Sequence, residues 1–255
     1  MGRPLNAKHE SPAAERPGAK SKSRRALNVR LLVQTLIVLA VVGLGAYGWY
    51  YYQVQNTAAA MLERAGKLVA DKDDAAAAQY YFQYLKLNPR DADVRVLLAE
   101  TYDRAAKNRA QKPQAVEYYY QALGVAPADK KRGLRLRLAE LLLELQRFTA
   151  AEEEAREILE KDPDDREGNR LLAMALYGLS RGGSLGGGRD SALVGEVLEK
   201  ARKLNPADVP LAVILADVYR NQPELVGRES QALSEEERKL LADEVIDQMV
   251  AAQPK

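Results

Sequence analysis

Histidine, cysteine and paired carboxylates are the side chains that most often carry out chemistry, and this sequence supplies them unevenly. It contains no cysteine and a single histidine, His9, in a polar N-terminal stretch. Thiolate nucleophiles, thiolate zinc sites and disulfides are therefore excluded, and the usual general base and the two commonest transition-metal ligands are scarce. Carboxylates are plentiful but poorly arranged. Asp71, Asp73 and Asp74 form the run DKDD, which lacks the spaced ligands and glycine of a calcium loop and reads as a helix cap. Glu152, Glu153 and Glu154 fall at a helix start. The glycine-rich run SRGGSLGGGRD, Ser180 to Asp190, could in principle cradle a phosphate, but no Gly-Lys-Ser or Gly-Lys-Thr follows and no strand precedes it. It reads as a flexible connector. No catalytic residue, cofactor site or metal ligand is assigned, and binding rather than reaction is the expected activity.

The elements that would have to position any site begin with a contrast. Of 255 residues, 47% are hydrophobic and 29% charged, enough to build packed helical or mixed domains, and the net charge is only +2. That balance excludes a uniformly basic protein that coats nucleic acid. Residues 1–30, however, hold Arg3, Lys8, Arg16, Lys20, Lys22, Arg24, Arg25 and Arg30 against Glu10 and Glu15, with almost no large apolar side chains. This segment is expected to be a disordered basic tail. Met1-Gly2 opens like a myristoylation signal, but Asn6 stands where Ser or Thr is wanted.

Residues 31–52 carry no charge. A helix over this stretch is about 33 Å long, against a hydrocarbon core of about 30 Å, so it is expected to cross a bilayer. Leu31 opens the anchor, and Tyr47, Trp49, Tyr50, Tyr51 and Tyr52 gather at its far end, where amphipathic rings settle at headgroup level. Arg24, Arg25 and Arg30 abut the near end, and no Lys or Arg follows the span until Arg64. The expectation is a single-pass membrane protein with a cytoplasmic N-terminus and the remainder extracytoplasmic, as on the periplasmic side of a bacterial inner membrane. A cleaved signal peptide is the alternative, with Ala58, Ala59 and Ala60 mimicking a cleavage site, although a signal core usually spans only about 7 to 15 residues.

Beyond the span, Pro89, Pro127, Pro163, Pro206 and Pro254 recur at spacings of 38, 36, 43 and 48. Read backward from each proline, AAAAQYYFQYLKLNP, QAVEYYYQALGVAP, AAEEEAREILEKDP, SALVGEVLEKARKLNP and LADEVIDQMVAAQP align without gaps. Read forward come VRVLLAETY, LRLRLAELL, GNRLLAMALY and LAVILADVY, each with a Leu-Ala pair on one helical face. Each repeat is two helices, because a helix of this length needs a neighbour to cover its apolar stripe.

This pattern resembles the tetratricopeptide repeat (TPR), a unit of about 34 residues. The first-helix positions match Leu98-Ala99, Leu138-Ala139, Leu172-Ala173 and Leu215-Ala216, followed by Tyr102, Leu142, Leu176 and Tyr219. The second-helix positions match Ala77 with Tyr81, Ala115 with Tyr119, Ala151 with Ala155, Val194 with Leu198, and Ala242 with Ile246. The expected fold is all-α: a transmembrane helix followed, over residues 53–255, by a TPR-like α-solenoid of about five helix-turn-helix repeats. Surplus residues over the unit length should fall between the two helices of a repeat, around Lys107 to Lys112, near Asp129 to Lys131 or Gln146, at Ser180 to Asp190 and at Asn221 to Ser234.

The resemblance implies that first helices line a concave ligand surface. Transferred by register, that surface includes Val96, Glu100, Asp103, Leu136, Glu140, Arg170, Met174, Tyr177, Val213, Asp217 and Arg220. Apolar beside acidic residues disfavour a C-terminal carboxylate and suit a protein or peptide with apolar anchors and basic groups. Alternatively, the carboxylates pair with Arg104, Arg137 and Arg170. The expected function is a membrane-anchored, non-catalytic scaffold for protein-protein interaction, without nucleic acid. Gly43, Gly45 and Gly48 in the span make self-association a further possibility. A second reading makes the chain the N-terminal anchor and repeat segment of a longer polypeptide with an enzyme or more repeats beyond Lys255.

Overall fold

Helix caps and short turns set the architecture. The computed structural model describes residues 29–182, 189–226 and 232–253. Most of the basic tail, the centre of the glycine-rich run and Pro254 lie outside them. Among the described residues there are ten α-helices, one short 3-10 helix and no strand. In chain order they are α1 Val29–Ala70, α2 Asp74–Leu87, α3 Ala92–Ala105, α4 Lys112–Leu123, α5 Ala128–Glu144, α6 Phe148–Leu159, α7 Arg166–Arg181, α8 Arg189–Leu204, α9 Val209–Asn221, the 3-10 helix Pro223–Leu225, and α10 Glu235–Ala251.

The chain divides into two units between Gln53 and Val54. In the first, the helical segment carries a mean hydropathy of 2.1 over its most apolar window, and it is long and apolar enough to cross a membrane. Its large apolar side chains are exposed: Leu32 and Val33 keep 44% and 46% of their surface, and Leu44 and Trp49 keep 71% and 70%.

In the second unit the helices from α2 to α10 each pack on the next, and α5 also touches α7, which touches α9. Aspartate caps four of the ten described helices. The carboxylates of Asp73, Asp91, Asp165 and Asp208 accept hydrogen bonds from the N–H groups of Ala76, Val94, Gly168 and Leu211, at 3.1, 3.1, 2.8 and 2.9 Å. These bonds satisfy donors that a helix start leaves orphaned. The DKDD run is thus a capped turn, as its composition suggests. Ser234 and Glu237 form a reciprocal capping box at the start of α10.

Alanine fills the lines of closest contact. Ala65, Ala77, Ala99, Ala115, Ala139, Ala151, Ala173 and Ala242 are all fully buried. Large side chains occupy the layers between: Leu138 is 0% and Leu215 1% exposed, and Tyr81, Tyr119 and Tyr219 are buried. Tyr102 and Tyr118 meet edge to face at 5.0 Å. The aromatic runs therefore split by register. Tyr81 and Tyr119 fill the core, whereas Phe82 and Tyr120 keep 43% and 40% of their surface.

Surplus residues lie between the paired helices at 106–111 and, so far as they are described, at 222–226 and 232–234, while 183–188 and 227–231 lie outside the described residues; those of the repeat that ends at Pro163 instead lengthen α5 at its start, directly after Pro127. The turns 71–73 and 145–147 stay tight and place Lys72 and Gln146 at φ 61° and 60°. In the last connection, Leu225 and Val226 are buried in the core against α8. Gly195 makes room for them: a Cβ there would stand 2.5 Å from the Leu225 carbonyl oxygen and 2.8 Å from Val226 Cα.

Leu138→Ala or Leu215→Ala is expected to lower stability by about 2 to 5 kcal/mol, read from urea unfolding, because each leaves a cavity that its neighbours cannot close. Gly195→Ala is expected to cost about 1 to 3 kcal/mol by unseating Leu225 and Val226. Unchanged unfolding midpoints would contradict this packing.

Candidate protein-binding groove

The side chains of the first helices fall into two groups, those that hold one repeat to the next and those left free. Asp103 on α3 belongs to the first group. Its carboxylate accepts from Arg137 of α5, Nε to Oδ2 at 2.6 Å and NH2 to Oδ1 at 3.2 Å, and from the Tyr119 hydroxyl at 3.3 Å. Arg137 also reaches Glu140 at 2.8 Å. The Asp103 bond holds the guanidinium in its charged form more firmly than usual. Burial, followed by the Asp103 charge, pushes the Tyr119 hydroxyl well above its ordinary range.

The same device recurs toward α9. Arg170 on α7 donates Nε to Oδ2 of Asp208 at 2.6 Å. Tyr177 donates to Asp217 of α9 at 2.8 Å, and Asn221 and Gln222 donate to the same carboxylate at 2.7 and 3.1 Å. Those bonds, the Asn221 bond foremost and the Tyr177 bond next, hold Asp217 below the usual carboxylate range. Arg220 pairs with Asp243 of α10. Arg132 of α5 reaches back to Asp165, the α7 cap, at 2.5 Å. Burial works against the Asp165 charge, but Arg132 and the Gly168 N–H outweigh it and the net shift is downward.

The remaining candidate residues are placed as follows. Val96 is 5% exposed, Leu136, Met174 and Tyr177 are half-buried, Val213 is 52% exposed, and Glu100 is exposed. Glu100 enters none of the ion pairs that brace its neighbours Asp93 and Asp103. Of the three arginines considered as carboxylate partners, Arg137 and Arg170 bind Asp103, Glu140 and Asp208, and Arg104 turns instead to Asp74 at 3.0 Å.

Between α3 and α5 lies a depression of about 410 Å³ lined by Asp93, Val96, Leu97, Glu100, Asp129, Lys130, Gly133 and Leu134. Val96 and Leu134 form its floor, both nearly buried, and Leu97 is 40% exposed at its wall. Lys130 is drawn to Asp93 at 2.7 Å, leaving Glu100 and Asp129 as its unpaired carboxylates. Register transfer identified only Val96 and Glu100 here. The two surplus residues near Asp129 to Lys131 were the available signal, because they begin α5 directly after Pro127 and add a first turn bearing Asp129 and Lys130. Among the described residues there is no group of three or more carboxylate or histidine side chains suited to a metal ion.

Residues 113–175 match the tetratricopeptide repeat family. Among solved structures, the chain is similar to a MamA fragment from Desulfovibrio magneticus RS-1, at 13% identity and a TM-score of 0.57 over 78% of this chain and 98% of that one. It is similar to a MamA double mutant at 14% identity and 0.56, over 76% and 93% of the two chains. It is also similar to YrrB, described as a TPR protein with an unusual peptide-binding site, at 15% identity and 0.53, over 76% and 86%. These likenesses establish the fold. No curated protein is significantly similar to the chain.

Arg137→Ala is expected to destabilise the array by about 1 to 3 kcal/mol, since Asp103 loses its charged partner while its side chain is only 8% exposed. Arg220→Ala, in an exposed pair, should change stability by less than about 1 kcal/mol. Asp165 and Asp217, with lowered pKa values, add stability that is complete above the ordinary carboxylate value of about 4 and lost as pH falls through their lower folded values. Asp165→Asn and Asp217→Asn should each flatten that acid loss in unfolding midpoints followed from about pH 5 to pH 2. An acid limb identical to that of the parent protein would contradict these assignments.

Proposed function

We propose, for a chain that carries tetratricopeptide repeats in an all-helical solenoid, the role of a membrane-anchored, non-catalytic scaffold that binds a protein segment along its first-helix face. The observation that carries this reading is the depression between α3 and α5, where an apolar floor meets the unpaired carboxylate of Glu100. A floor of Val96 and Leu134 beside Leu97 suits an apolar anchor, and the free acid beside it suits a basic group on the same ligand. The carboxylates farther along, Asp103 and Asp217, are committed to neighbouring helices, which leaves Glu100 as the recognition charge. A peptide ligand has a counterpart in the YrrB description.

The uncharged helix is read as the anchor. Its exposed apolar surface is suited to lipid, and Arg30 on one flank against no basic residue until Arg64 on the other supports a cytoplasmic N-terminus with the repeats outside.

A photo-reactive residue at position 97 of the intact membrane protein tests the groove. Discrete protein adducts that are lost with Glu100→Lys, while a photo-reactive residue at the exposed Glu153 gives none, are the expected result. Identical adducts from both positions, or adducts indifferent to Glu100→Lys, would remove the groove from the function. Resistance to carbonate washing is expected of the anchor.

A further inference from the structure

A glycine inside a helix is destabilising, because it frees the unfolded chain and packs against nothing in the folded one. Gly178 and Gly195 have a packing reason. A Cβ at Gly178 would run into the Phe148 ring, and one at Gly195 would stand 2.5 Å from the Leu225 carbonyl oxygen. Gly133, in the second turn of α5, has no such reason. A Cβ there would meet no packed group within 4 Å, so nothing in this chain requires the vacancy.

The vacancy lies in the wall of the depression between α3 and α5, beside the nearly buried Leu134, with Val96, Leu97 and Glu100 on the α3 side. The charged groups of the lining are Asp93, Glu100 and Asp129 against Lys130. Three carboxylates against one ammonium favour a cationic occupant.

Two ion pairs from repeat to repeat bound this depression. Near the helix starts Lys130 of α5 holds Asp93 of α3 at 2.7 Å, and farther along Arg137 holds Asp103 at 2.6 Å. Asp93 and Asp103 are ten residues apart on α3, and Lys130 and Arg137 seven apart on α5, or about 15 and 10 Å of helix. Extended chain advances about 3.3 Å per residue, so about three or four residues fill the window between the pairs.

We infer that this window is a socket for a short basic and apolar segment of a protein ligand, whose main chain lies against the α5 backbone at Gly133. One apolar side chain of the segment reaches Val96 and Leu134, and a neighbouring basic side chain reaches Glu100. Glycine is the residue that permits such close approach of a ligand to a helix backbone. The inference rests on the function proposed above and adds to it the residue that opens the site.

The test uses full-length protein and a capped tetrapeptide that carries photo-leucine followed by arginine, with glutamate replacing arginine in a second peptide. Irradiation of the arginine peptide should give adducts on α3 and α5 that the glutamate peptide does not give and that Glu100→Lys abolishes. Gly133→Ala should reduce those adducts several-fold and Gly133→Leu should abolish them. Gly66→Ala, at a glycine whose Cβ would likewise meet nothing within 4 Å but which lies outside the depression, should leave them unchanged. Neither alanine variant should unfold at lower urea than the parent, since alanine favours a helix over glycine. Adducts that depend on Glu100 but are indifferent to both Gly133 variants overturn the inference and leave the groove standing. An earlier unfolding midpoint for Gly133→Ala also overturns it, because the chain itself would then need the space. Equal adducts from both peptides, or none from either, remove the groove and this inference with it.

Discussion

Close approach of helix backbones over alanine is the constraint on which the rest depends. At 12 to 17 residues, α2 to α10 are marginal as isolated helices in water. Helices α3 to α9 are each held by a neighbour on either side, and Ala65, Ala77, Ala99, Ala115, Ala139, Ala151, Ala173 and Ala242 are fully buried points of the array. Larger side chains there would push the helices apart and open the leucine and tyrosine layers between them. Gly195 extends the same logic to a place where backbone meets backbone. Stability in such an array is close to a sum over units and their interfaces, so loss at one contact loosens adjacent units first.

Polar bridges add direction to this packing. Arg137 with Asp103, Arg132 with Asp165, Arg170 with Asp208 and Tyr177 with Asp217 join residues 34, 33, 38 and 40 positions apart, which is one repeat. They fasten each first helix to the next and set the register between units. They also decide what the binding face has to offer, since a carboxylate locked to the neighbouring helix is a poor recognition group. Glu100 escapes that role, and it does so beside an apolar floor.

The fold was legible because its signals repeat. Proline spacing, the Leu-Ala pairs and the capping residues Asp73 and Ser234 each say where a helix starts, stops or packs, and every repeat says it again. The uncharged stretch at 31–52 was equally plain from composition and length. The face was less legible. Register placed Asp103, Glu140, Arg170 and Asp217 on the first helices and offered Arg137 as a carboxylate partner, but not Asp208 for Arg170 or Tyr177 for Asp217, because a bridge to the next repeat depends on rotamers and on the offset between helices rather than on sequence position. Asp129 and Gly133 were missed because a local lengthening of α5, not the repeat pattern, brings them opposite Glu100, and Leu97 because it lies on α3 between the transferred register positions. The burial of Leu225 and Val226 was hidden for a related reason: an insertion between paired helices gives no periodic signal of its own.

Helix-resolved amide hydrogen exchange on the full chain in a bilayer tests most directly whether alanine-floored hairpins on a lipid-crossing helix describe this protein. The account predicts slow exchange shared by α5, α6, α7 and α9, fast exchange in the connection 106–111, and protection of residues 31–52 that vanishes when the lipid is removed. Rapid exchange throughout α5 to α7, or protection of 31–52 that survives without lipid, would contradict it.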